Sequence, residues 1–509
     1  MTVSDYPAYE ADFPEGSRRL VFCFDGSWNK LDVKKDPTNV VLVAESVLPV
    51  DRHGTNQIVH YDEGVGTASD ETFRGGIFGK GLVQNIREAY RFLIFNYRPG
   101  DQIFVFGFSR GAFTARSFLG FIKSVGILQV NNANQITEAW KLYKKHAVRD
   151  GDEPPELLQF RAKNSPQICI STSEQSWRLN KGLCQTPPRL LTIPYIGVWD
   201  TVGTLGFEAV KATFVRTQDK RYNDHDTQLS DLVTAGRHAV ALDERRVHFM
   251  PTLWRNLADM NIRVGHDPYS RDAPYQQRWF AGDHGSVGGG GPERGLSNAA
   301  LHWVLKGAID QGLQINLGAN SNLQTIRYNA HAPLRNTPAE GLRKNRLAKH
   351  AAGVAAGWFK SVALAAKRSA PDDISSLHPS VMRRWFLDES VPEGKPYGRG
   401  MLKHLTDDIE SLRKSFQPPN GDSYPVYSVK RGDTLRDIAF ECLGGVSRAE
   451  EIFELNRDLI DDPSIIFVGD RLRMPQDADP ATVDTSAAAK AGPGSDEDPG
   501  KPATYLSSQ

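Results

Sequence analysis

Runs of largely apolar residues, each followed by small or polar residues, recur through the N-terminal part of the chain. Residues 20–24, 102–106, 195–199 and 278–281 form such runs, and a helix-like segment follows the second at residues 112–119. Apolar residues at successive rather than alternate positions are typical of parallel strands buried on both faces. The pattern predicts an α/β fold with a mostly parallel sheet and helices on both faces.

The turn between the second run and its helix has the sequence Gly107-Phe108-Ser109-Arg110-Gly111. A serine between a strand and a helix is lifted out of the backbone with its hydroxyl exposed, and the flanking glycines let strand and helix pack closely. Ser109 is therefore a candidate nucleophile.

An acid and a base follow in chain order. Asp200 comes directly after the run at residues 195–199, where open α/β sheets gather functional groups, and His284 lies in a glycine-rich stretch after the run at residues 278–281. We expect that stretch, residues 282–291, to be a flexible loop that leaves room for a substrate beside the imidazole. Asp283 competes with Asp200 as the acid, and His248 is the alternative base. The order Ser, Asp, His is that of α/β-hydrolases.

Acyl transfer also needs backbone N–H groups directed at the developing oxyanion. One candidate is the N–H of Arg110, which follows the nucleophile at the start of a helix. The second is expected from the turn after the first strand, where Gly26 or Ser27 could donate. Asp25, in the same turn, is either a supporting residue of the site or a turn former.

Residues 19–292 resemble the α/β-hydrolase-like catalytic domain of the bacterial type VI secretion phospholipase effectors. The resemblance lies in blocks at residues 24–29, 37–40, 61–67, 107–112, 198–203 and 279–290. It implies a serine esterase of phospholipase type that acts on lipid esters, with Ser109, Asp200 and His284 as its triad. It also implies contact with a secretion apparatus or an immunity protein.

Two positions depart from the family pattern. The family usually has an aspartate two residues after the histidine, where this chain has Ser286, and a threonine where this chain has Ser27. A weakly active or inactive hydrolase-fold protein that binds cell wall is therefore an alternative. An esterase for a small soluble ester is another.

A second module is visible at residues 424–476. A strand, two short helices and a closing strand are predicted there, with Asp433 or Thr434 as N-cap of the first helix. The segment resembles a LysM domain, a small βααβ fold whose family binds the N-acetylglucosamine backbone of peptidoglycan or chitin. The resemblance implies a groove lined by Gly432, Asp433, Thr434, Asp462, Pro463 and Ile465. A module that only contacts protein is the alternative.

The remaining sequence sets the domain plan. We expect a flexible lead at residues 1–18, a catalytic domain at 19–335 with a lid or insertion at 131–188, a helical segment and linker at 336–423, and a disordered tail at 477–509. With 509 residues, of which 39% are hydrophobic and 24% charged, two or more globular units are expected.

Charge and cysteine content narrow the function further. The formal net charge of +0 gives no case for a nucleic-acid partner. The 4 cysteines show neither metal-ligand spacing nor a disulfide framework, so neither metal nor cofactor is predicted.

The start of the chain shows no signal-peptide pattern, and we find no stretch of transmembrane length. The sequence thus predicts synthesis in the cytoplasm. A module that binds cell wall then implies export by another route, for which the resemblance suggests type VI delivery to a target cell's periplasm.

Overall fold

A computed structural model describes most of the chain. The described residues are 16–26, 36–64, 76–146, 153–203, 228–244, 249–270, 272–316, 332–334, 371, 373–386, 402–415, 424–430, 433–457, 459–460, 463, 466 and 470–485. The strands are β1 (Arg19–Phe24), β2 (Gln57–Asp62), β3 (Gln102–Phe108), β4 (Ile168–Cys169), β5 (Arg189–Leu190), β6 (Ile193–Trp199), β7 (Val233–Ala241), β8 (Tyr275–Phe280), β9 (Val426–Ser428) and β10 (Arg471–Arg473).

The described helices lie between and after these strands. They are α1 (Asn39–Ser46), α2 (Gly76–Asn96), α3 (Arg110–Val125), α4 (Ile136–Lys145), α5 (Pro155–Asn164), α6 (Thr172–Asn180), α7 (Leu257–Arg263), α8 (His284–Gly288), α9 (Gly295–Asp310), α10 (Pro379–Phe386), α11 (Thr406–Ser415), α12 (Leu435–Leu443) and α13 (Ala449–Leu455). Among the described residues, no helix is both long enough and apolar enough to cross a bilayer.

Six strands form one parallel sheet in the order β2-β1-β3-β6-β7-β8. The chain moves from β1 to β2 on one side and then places β3 on the other side of β1. The chain thus leaves β1 toward one edge of the sheet and β3 toward the other edge, and a crevice opens between the carboxyl ends of these two strands. Ligands bind in such crevices in open α/β sheets. The site predicted from the sequence therefore lies at the switch point of the sheet.

Both faces of the sheet are covered, as the continuous apolar runs predicted. Leu20, Phe22 and Phe24 of β1 pack with α2 and α3 on one face. Val21 and Cys23 pack with α1 and α9 on the other. The predicted α/β-hydrolase-like architecture, a mostly parallel sheet between two helical layers, is confirmed.

The insertion at residues 131–188 packs against the end of α3 that is remote from Ser109. Arg161 Nη1 donates to the carbonyl of Ser124 at 2.9 Å, and Ser165 Oγ accepts the N–H of Ile127 at 3.1 Å. Ser124 lies fifteen residues beyond Ser109, or about 22 Å along the helix axis. The described part of this insertion is therefore a buttress of α3 and not the expected lid over the site.

A buried ion network holds the insertion together. The Glu174 carboxylate is fully buried and contacts Arg161 Nε at 2.9 Å and Arg178 Nε at 3.1 Å, and it also accepts the N–H of Ile170 at 3.0 Å. The two guanidinium groups are 1% and 2% exposed. The Glu174 carboxylate thus pairs with two cations that have almost no contact with water, of which Arg161 also contacts Glu153 at 2.8 Å.

We expect Glu174→Gln to lower the free energy of unfolding of the catalytic domain by about 3–5 kcal/mol, because it leaves two buried cations without their shared carboxylate. Chemical denaturation monitored by tryptophan fluorescence measures this. The matched control is Glu138→Gln, whose side chain is 48% exposed and pairs with Lys141 at the surface, so its cost is below about 1 kcal/mol. Equal stability of the two variants would contradict the prediction.

The catalytic domain extends past the expected boundary at residue 335. Leu377 forms a parallel bridge with Trp279 of β8, and the N–H of His378 donates to the Trp279 carbonyl at 2.8 Å. A hydrophobic cluster joins the ends of β7 and β8 to this later segment: Val240, Leu242, Trp279, Ala281, Leu296, Ala332, Leu377, Val381, Met382, Trp385, Leu402, Leu405 and Ile409. Described residues of the expected linker therefore complete the core of this domain and cover the edge of β8.

The C-terminal module has its own core. β9 and β10 pair antiparallel, and α12 and α13 pack over them, which gives the predicted βααβ order. Thr434 is the N-cap of α12, since its Oγ1 accepts the N–H of Asp437 at 3.0 Å.

The tail begins later than expected. Ala478 is buried in the core of the C-terminal module, and Val426 and Asp484 exchange two backbone hydrogen bonds at 2.9 and 2.8 Å. The expected tail start at residue 477 is therefore wrong, because this segment adds a bridge to β9.

At the N-terminal end of the chain, the Arg18 N–H donates to Asp101 Oδ1 at 2.9 Å, so the fold already includes Arg18. Residues 1–15 lie outside the described part.

Candidate active site

Ser109 lies on a sharp turn between β3 and α3. Its backbone angles are φ 58 and ψ −121, a conformation that costs a non-glycine residue about 1–3 kcal/mol. A Cβ at Gly107 would lie 2.7 Å from the Ala112 Cα, and one at Gly111 would lie 2.1 Å from the Phe24 carbonyl oxygen. The two glycines are thus required by backbone contacts, one within the turn and one between α3 and the end of β1.

Asp200 follows β6 with φ 36 and is completely buried. Its N–H donates to the Ala239 carbonyl at 2.7 Å, and its Oδ1 accepts the N–H of Ala241 at 2.9 Å. Both contacts come from the neighbouring strand β7. They fix the orientation of the carboxylate and direct Oδ2 toward His284.

His284 is the first residue of α8 and is 6% exposed. Its Nδ1 lies 2.6 Å from Asp200 Oδ2, and its Nε2 lies 2.8 Å from Ser109 Oγ. The fold thus brings together three side chains that are 84 and 175 positions apart. With the ring proton on Nδ1, Nε2 can accept the proton of the serine hydroxyl, which is the arrangement needed to activate a nucleophile.

The alternative acid, Asp283, has a different role, and the alternative base is His248. Asp283 is the N-cap of α8, since its Oδ1 accepts the N–H of Ser286 at 2.9 Å. His248 lies outside the described residues.

The glycine-rich stretch is not the open loop that the sequence suggested. Residues 284–288 form a short helix, and a Cβ at Gly288 would lie 1.9 Å from Cε2 of Phe108. Gly289 has φ 80 and forms an antiparallel bridge with Thr38. The expectation of room beside the imidazole is wrong at these two glycines, because they allow close packing of backbone against a ring and another backbone.

Two aromatic rings flank the imidazole. The ring centres of Phe108 and Phe249 each lie 4.6 Å from that of His284, the second in an edge-on arrangement. They limit the rotation of the imidazole. Sequence reasoning missed Phe249, which no motif marks and which reaches His284 only through the tertiary fold.

Asp25 is buried just beyond the carboxyl end of β1 and accepts hydrogen bonds from three described residues. Its Oδ2 accepts from Thr38 Oγ1 at 2.7 Å and from the Tyr61 hydroxyl at 2.8 Å, and its Oδ1 accepts from the Gly26 N–H at 2.6 Å. Burial, together with the charge of Asp25, raises the pKa of Tyr61 above its ordinary value, so the phenol stays protonated and donates.

The predicted oxyanion donors differ in their placement. The Gly26 N–H donates to the carboxylate of its neighbour Asp25, and Ser27 lies outside the described residues. Arg110 is the first residue of α3, so its N–H lies at the positive end of that helix. Burial lowers the pKa of the Arg110 guanidinium to about 10, and the group stays charged at neutral pH beside the nucleophile.

The first turn of α1 connects the Asp25 turn to α8. Thr38 donates to Asp25 and caps α1 by accepting the N–H of Val41 at 3.2 Å. The next residue, Asn39, donates from Nδ2 to the Val287 carbonyl at 2.9 Å. The block at residues 37–40 was recognised in the sequence as part of a resemblance, and the structure gives it a physical role.

Ser286 occupies a crowded position in the turn from β8 to α8. The Ser286 Oγ donates to Asp283 Oδ1 at 2.9 Å. A Cβ added at Gly282 would lie 2.3 Å from the Cβ of Ser286. The small residue fits this space, and the carboxylate of Asp283 serves as the cap. Among the described residues, no group of three or more His, Cys, Asp or Glu side chains is arranged to hold a metal ion.

The parallel sheet with helices on both faces defines an α/β-hydrolase-like fold. A family model described as T6SS phospholipase effector Tle1-like, catalytic domain, matches residues 18–307, which is more than half of the 509 residues. The chain therefore belongs to the family of Tle1-like phospholipase effectors of the type VI secretion system. A second model, for the LysM domain, matches residues 427–475. Both resemblances found in the sequence are confirmed.

The sequence identity to an individual relative is low. The chain is 27% identical over 247 residues to the uncharacterised protein YEL023C of Saccharomyces cerevisiae, and the match covers 46% of this chain and 32% of the yeast protein. The chain thus spans about a third of the length of that relative.

Among solved structures, the chain is similar to an uncharacterised protein from Pseudomonas aeruginosa, with 16% identity, coverage of 59% and 46% of the two chains and a TM-score of 0.32. It is also similar to the Tle1 effector bound to the VgrG spike of the type VI secretion system, with 17% identity, coverage of 54% and 52% and a TM-score of 0.26.

We expect Gly111→Ala to abolish hydrolysis, because the added methyl would force the start of α3 away from the β1 turn and shift Ser109. The control is Gly120→Ala in the same helix, where the nearest atom to a new Cβ is the Tyr143 hydroxyl oxygen at 3.4 Å. Alanine has the higher helix propensity, so this variant should be active and at least as stable. Ester hydrolysis and thermal unfolding of both variants test the prediction, and an active Gly111→Ala variant would contradict it.

Proposed function

We propose that this protein is a serine phospholipase that hydrolyses carboxylic esters of lipids, with Ser109, Asp200 and His284 as its catalytic triad. The observation that carries the proposal is the continuous chain of contacts from Asp200 Oδ2 through the imidazole to Ser109 Oγ, at 2.6 and 2.8 Å. Membership of a phospholipase effector family supports a lipid ester as the substrate.

In the proposed reaction, His284 Nε2 removes the proton of Ser109 while Oγ attacks the ester carbonyl carbon. Asp200 holds the imidazole in the required orientation and stabilises the imidazolium that forms. The tetrahedral intermediate collapses, and His284 gives its proton to the departing alcohol oxygen. Water, deprotonated by the same imidazole, then cleaves the acyl-serine and releases a fatty acid.

The N–H of Arg110 is the first proposed donor to the oxyanion, and Gly26 or Ser27 supplies the second. For Gly26 this requires its N–H to turn from Asp25 Oδ1 to the substrate oxygen. Asp25 is then a supporting residue that holds the turn through Thr38 and Tyr61 and gives up one hydrogen bond when substrate binds. Ser286 supports α8 through its hydrogen bond to Asp283.

The LysM module is proposed to bind the N-acetylglucosamine backbone of peptidoglycan and to hold the enzyme at the cell wall. Of the expected groove residues, Asp433 accepts from the Tyr427 hydroxyl and the Lys430 N–H, and Thr434 caps α12. These two side chains shape the loop, whereas Pro463 is exposed. Gly432, Asp462 and Ile465 lie outside the described residues.

Type VI delivery to a target cell's periplasm would bring both modules to their substrates. The family assignment supports this route and, with it, contact with the secretion apparatus and with an immunity protein in the producing cell.

We expect the purified protein to release fatty acid and lysophospholipid from mixed bacterial phospholipids, and Ser109→Ala to reduce the rate by about 10⁴-fold or more. The control is Ser124→Ala, which removes a hydroxyl of the same helix that donates to the Gly120 carbonyl at 2.9 Å and should keep activity. Mass spectrometry of the products identifies the ester position.

A fluorophosphonate probe that modifies activated serines separates the outcomes of this experiment. Labelling of Ser109 without lipid hydrolysis would favour an esterase for a small soluble ester. Neither labelling nor hydrolysis would favour the inactive, wall-binding alternative.

We expect the full-length protein to sediment with peptidoglycan sacculi and soluble N-acetylglucosamine oligomers to release it. A chain that ends at residue 423 should stay in solution and keep its esterase activity, because the LysM residues form a separate core. Sedimentation of the shortened chain to the same extent would contradict glycan binding by the module.

A further inference from the structure

Two acidic residues, Asp243 and Glu244, lie just beyond the end of β7, after Leu242, and border the turn that carries His284. The pairing of β7 with β8 continues beyond both strands, since the Leu242 N–H donates to the Phe280 carbonyl and the Asp243 N–H to the Gly282 carbonyl, both at 2.9 Å. Asp243 Oδ2 also accepts the Gly282 N–H at 2.7 Å. Asp243 therefore binds both the N–H and the carbonyl of Gly282.

Glu244 makes the next contact along the same turn. Its Oε2 accepts the backbone N–H of His284 at 3.3 Å, and the residue is only 3% exposed. His284 is thus contacted by two carboxylates, Asp200 at the imidazole Nδ1 and Glu244 at the backbone N–H.

A neutral amide oxygen could accept the same backbone hydrogen bond. The Glu244 carboxylate is also buried, where a charge acts on its neighbours through a medium of low dielectric constant. The charge does have an effect on the imidazole, which becomes a cation when it takes the serine proton.

We propose that Glu244 is a positioning residue of the ester hydrolysis, which fixes the backbone of His284 and stabilises the imidazolium by its negative charge. The inference rests on the proposed function. Among the described residues, the charged groups near His284 come from four places in the fold, namely the end of β6, the end of β7, the cap of α8 and the start of α3: Asp200, Asp243, Glu244, Asp283 and Arg110.

The sign of the pH effect follows from the charge. The neutral imidazole is the base, so kcat/KM falls at low pH as the ring becomes protonated. A nearby carboxylate favours the protonated ring, and its removal moves this acid limb to lower pH. The same change lowers kcat, because the imidazolium of the transition state loses an attractive charge.

The test uses the full-length protein with Glu244→Gln, which keeps an acceptor oxygen and loses the charge. We expect kcat to fall by up to about fiftyfold, the effect of a unit charge roughly 7 Å away at an effective dielectric constant of about 20, with KM nearly unchanged. The acid limb of kcat/KM and of fluorophosphonate labelling should move to lower pH. Glu244→Asp, which retains the charge, should keep the wild-type limb.

Three further variants make the result decisive. Asp243→Asn changes the neighbouring carboxylate, which contacts Gly282 and not His284, so it should move the acid limb less than Glu244→Gln. Glu138→Gln, at the surface of α4, should match the wild type in every respect. Glu244→Met is a second neutral variant of similar size.

The proposal is overturned if a folded neutral variant keeps the wild-type kcat and acid limb and shows only a lower melting temperature. It is also overturned if both neutral variants fail to fold while Asp243→Asn folds, since the role is then structural. Failure of the proposed function looks different, because the wild-type protein itself would then neither label nor hydrolyse esters.

Discussion

The arrangement of the site depends on one close contact between backbones, the first turn of α3 against the carboxyl end of β1. Gly111 makes this contact possible, since any side chain there would overlap the Phe24 carbonyl. The contact places the Ser109 turn beside the Asp25 turn at the switch point of the sheet. It also holds Ser109 in a left-handed conformation that a flexible chain would relax.

The other parts of the site are tied to this contact by buried polar groups. Thr38 and Asn39 connect the Asp25 turn to α8, while Ala239 and Ala241 of β7 fix Asp200. Each group comes from a different segment, so the geometry at His284 is held from several directions. Such an arrangement suits the proposed ester hydrolysis, in which a proton moves between Ser109 and His284 while the triad itself keeps its geometry.

The catalytic unit and the LysM module are built on different cores. The segment that includes Leu377, Val381 and Leu402 belongs to the first, because it closes the edge of β8 and packs under the residues that precede His284. The second core lies between β9, β10 and their two helices and reaches Ala478. The proposed lipid-ester site and the proposed binding of cell wall by the LysM module would together suit action at an envelope, where membrane and peptidoglycan are close.

By itself, the sequence determined the parallel sheet, the serine turn and the two families, because buried strands need continuous apolar runs and a tight turn needs glycine at fixed positions. It also indicated Asp200 and His284, since functional groups collect where parallel strands end. Only the tertiary structure decided that Gly288 and Gly289 pack tightly, that residues 131–188 support the far end of α3, and that Phe249 and Glu244 border the imidazole. These contacts join residues remote in sequence, and local pattern carries no signal for a partner that the fold brings in from elsewhere.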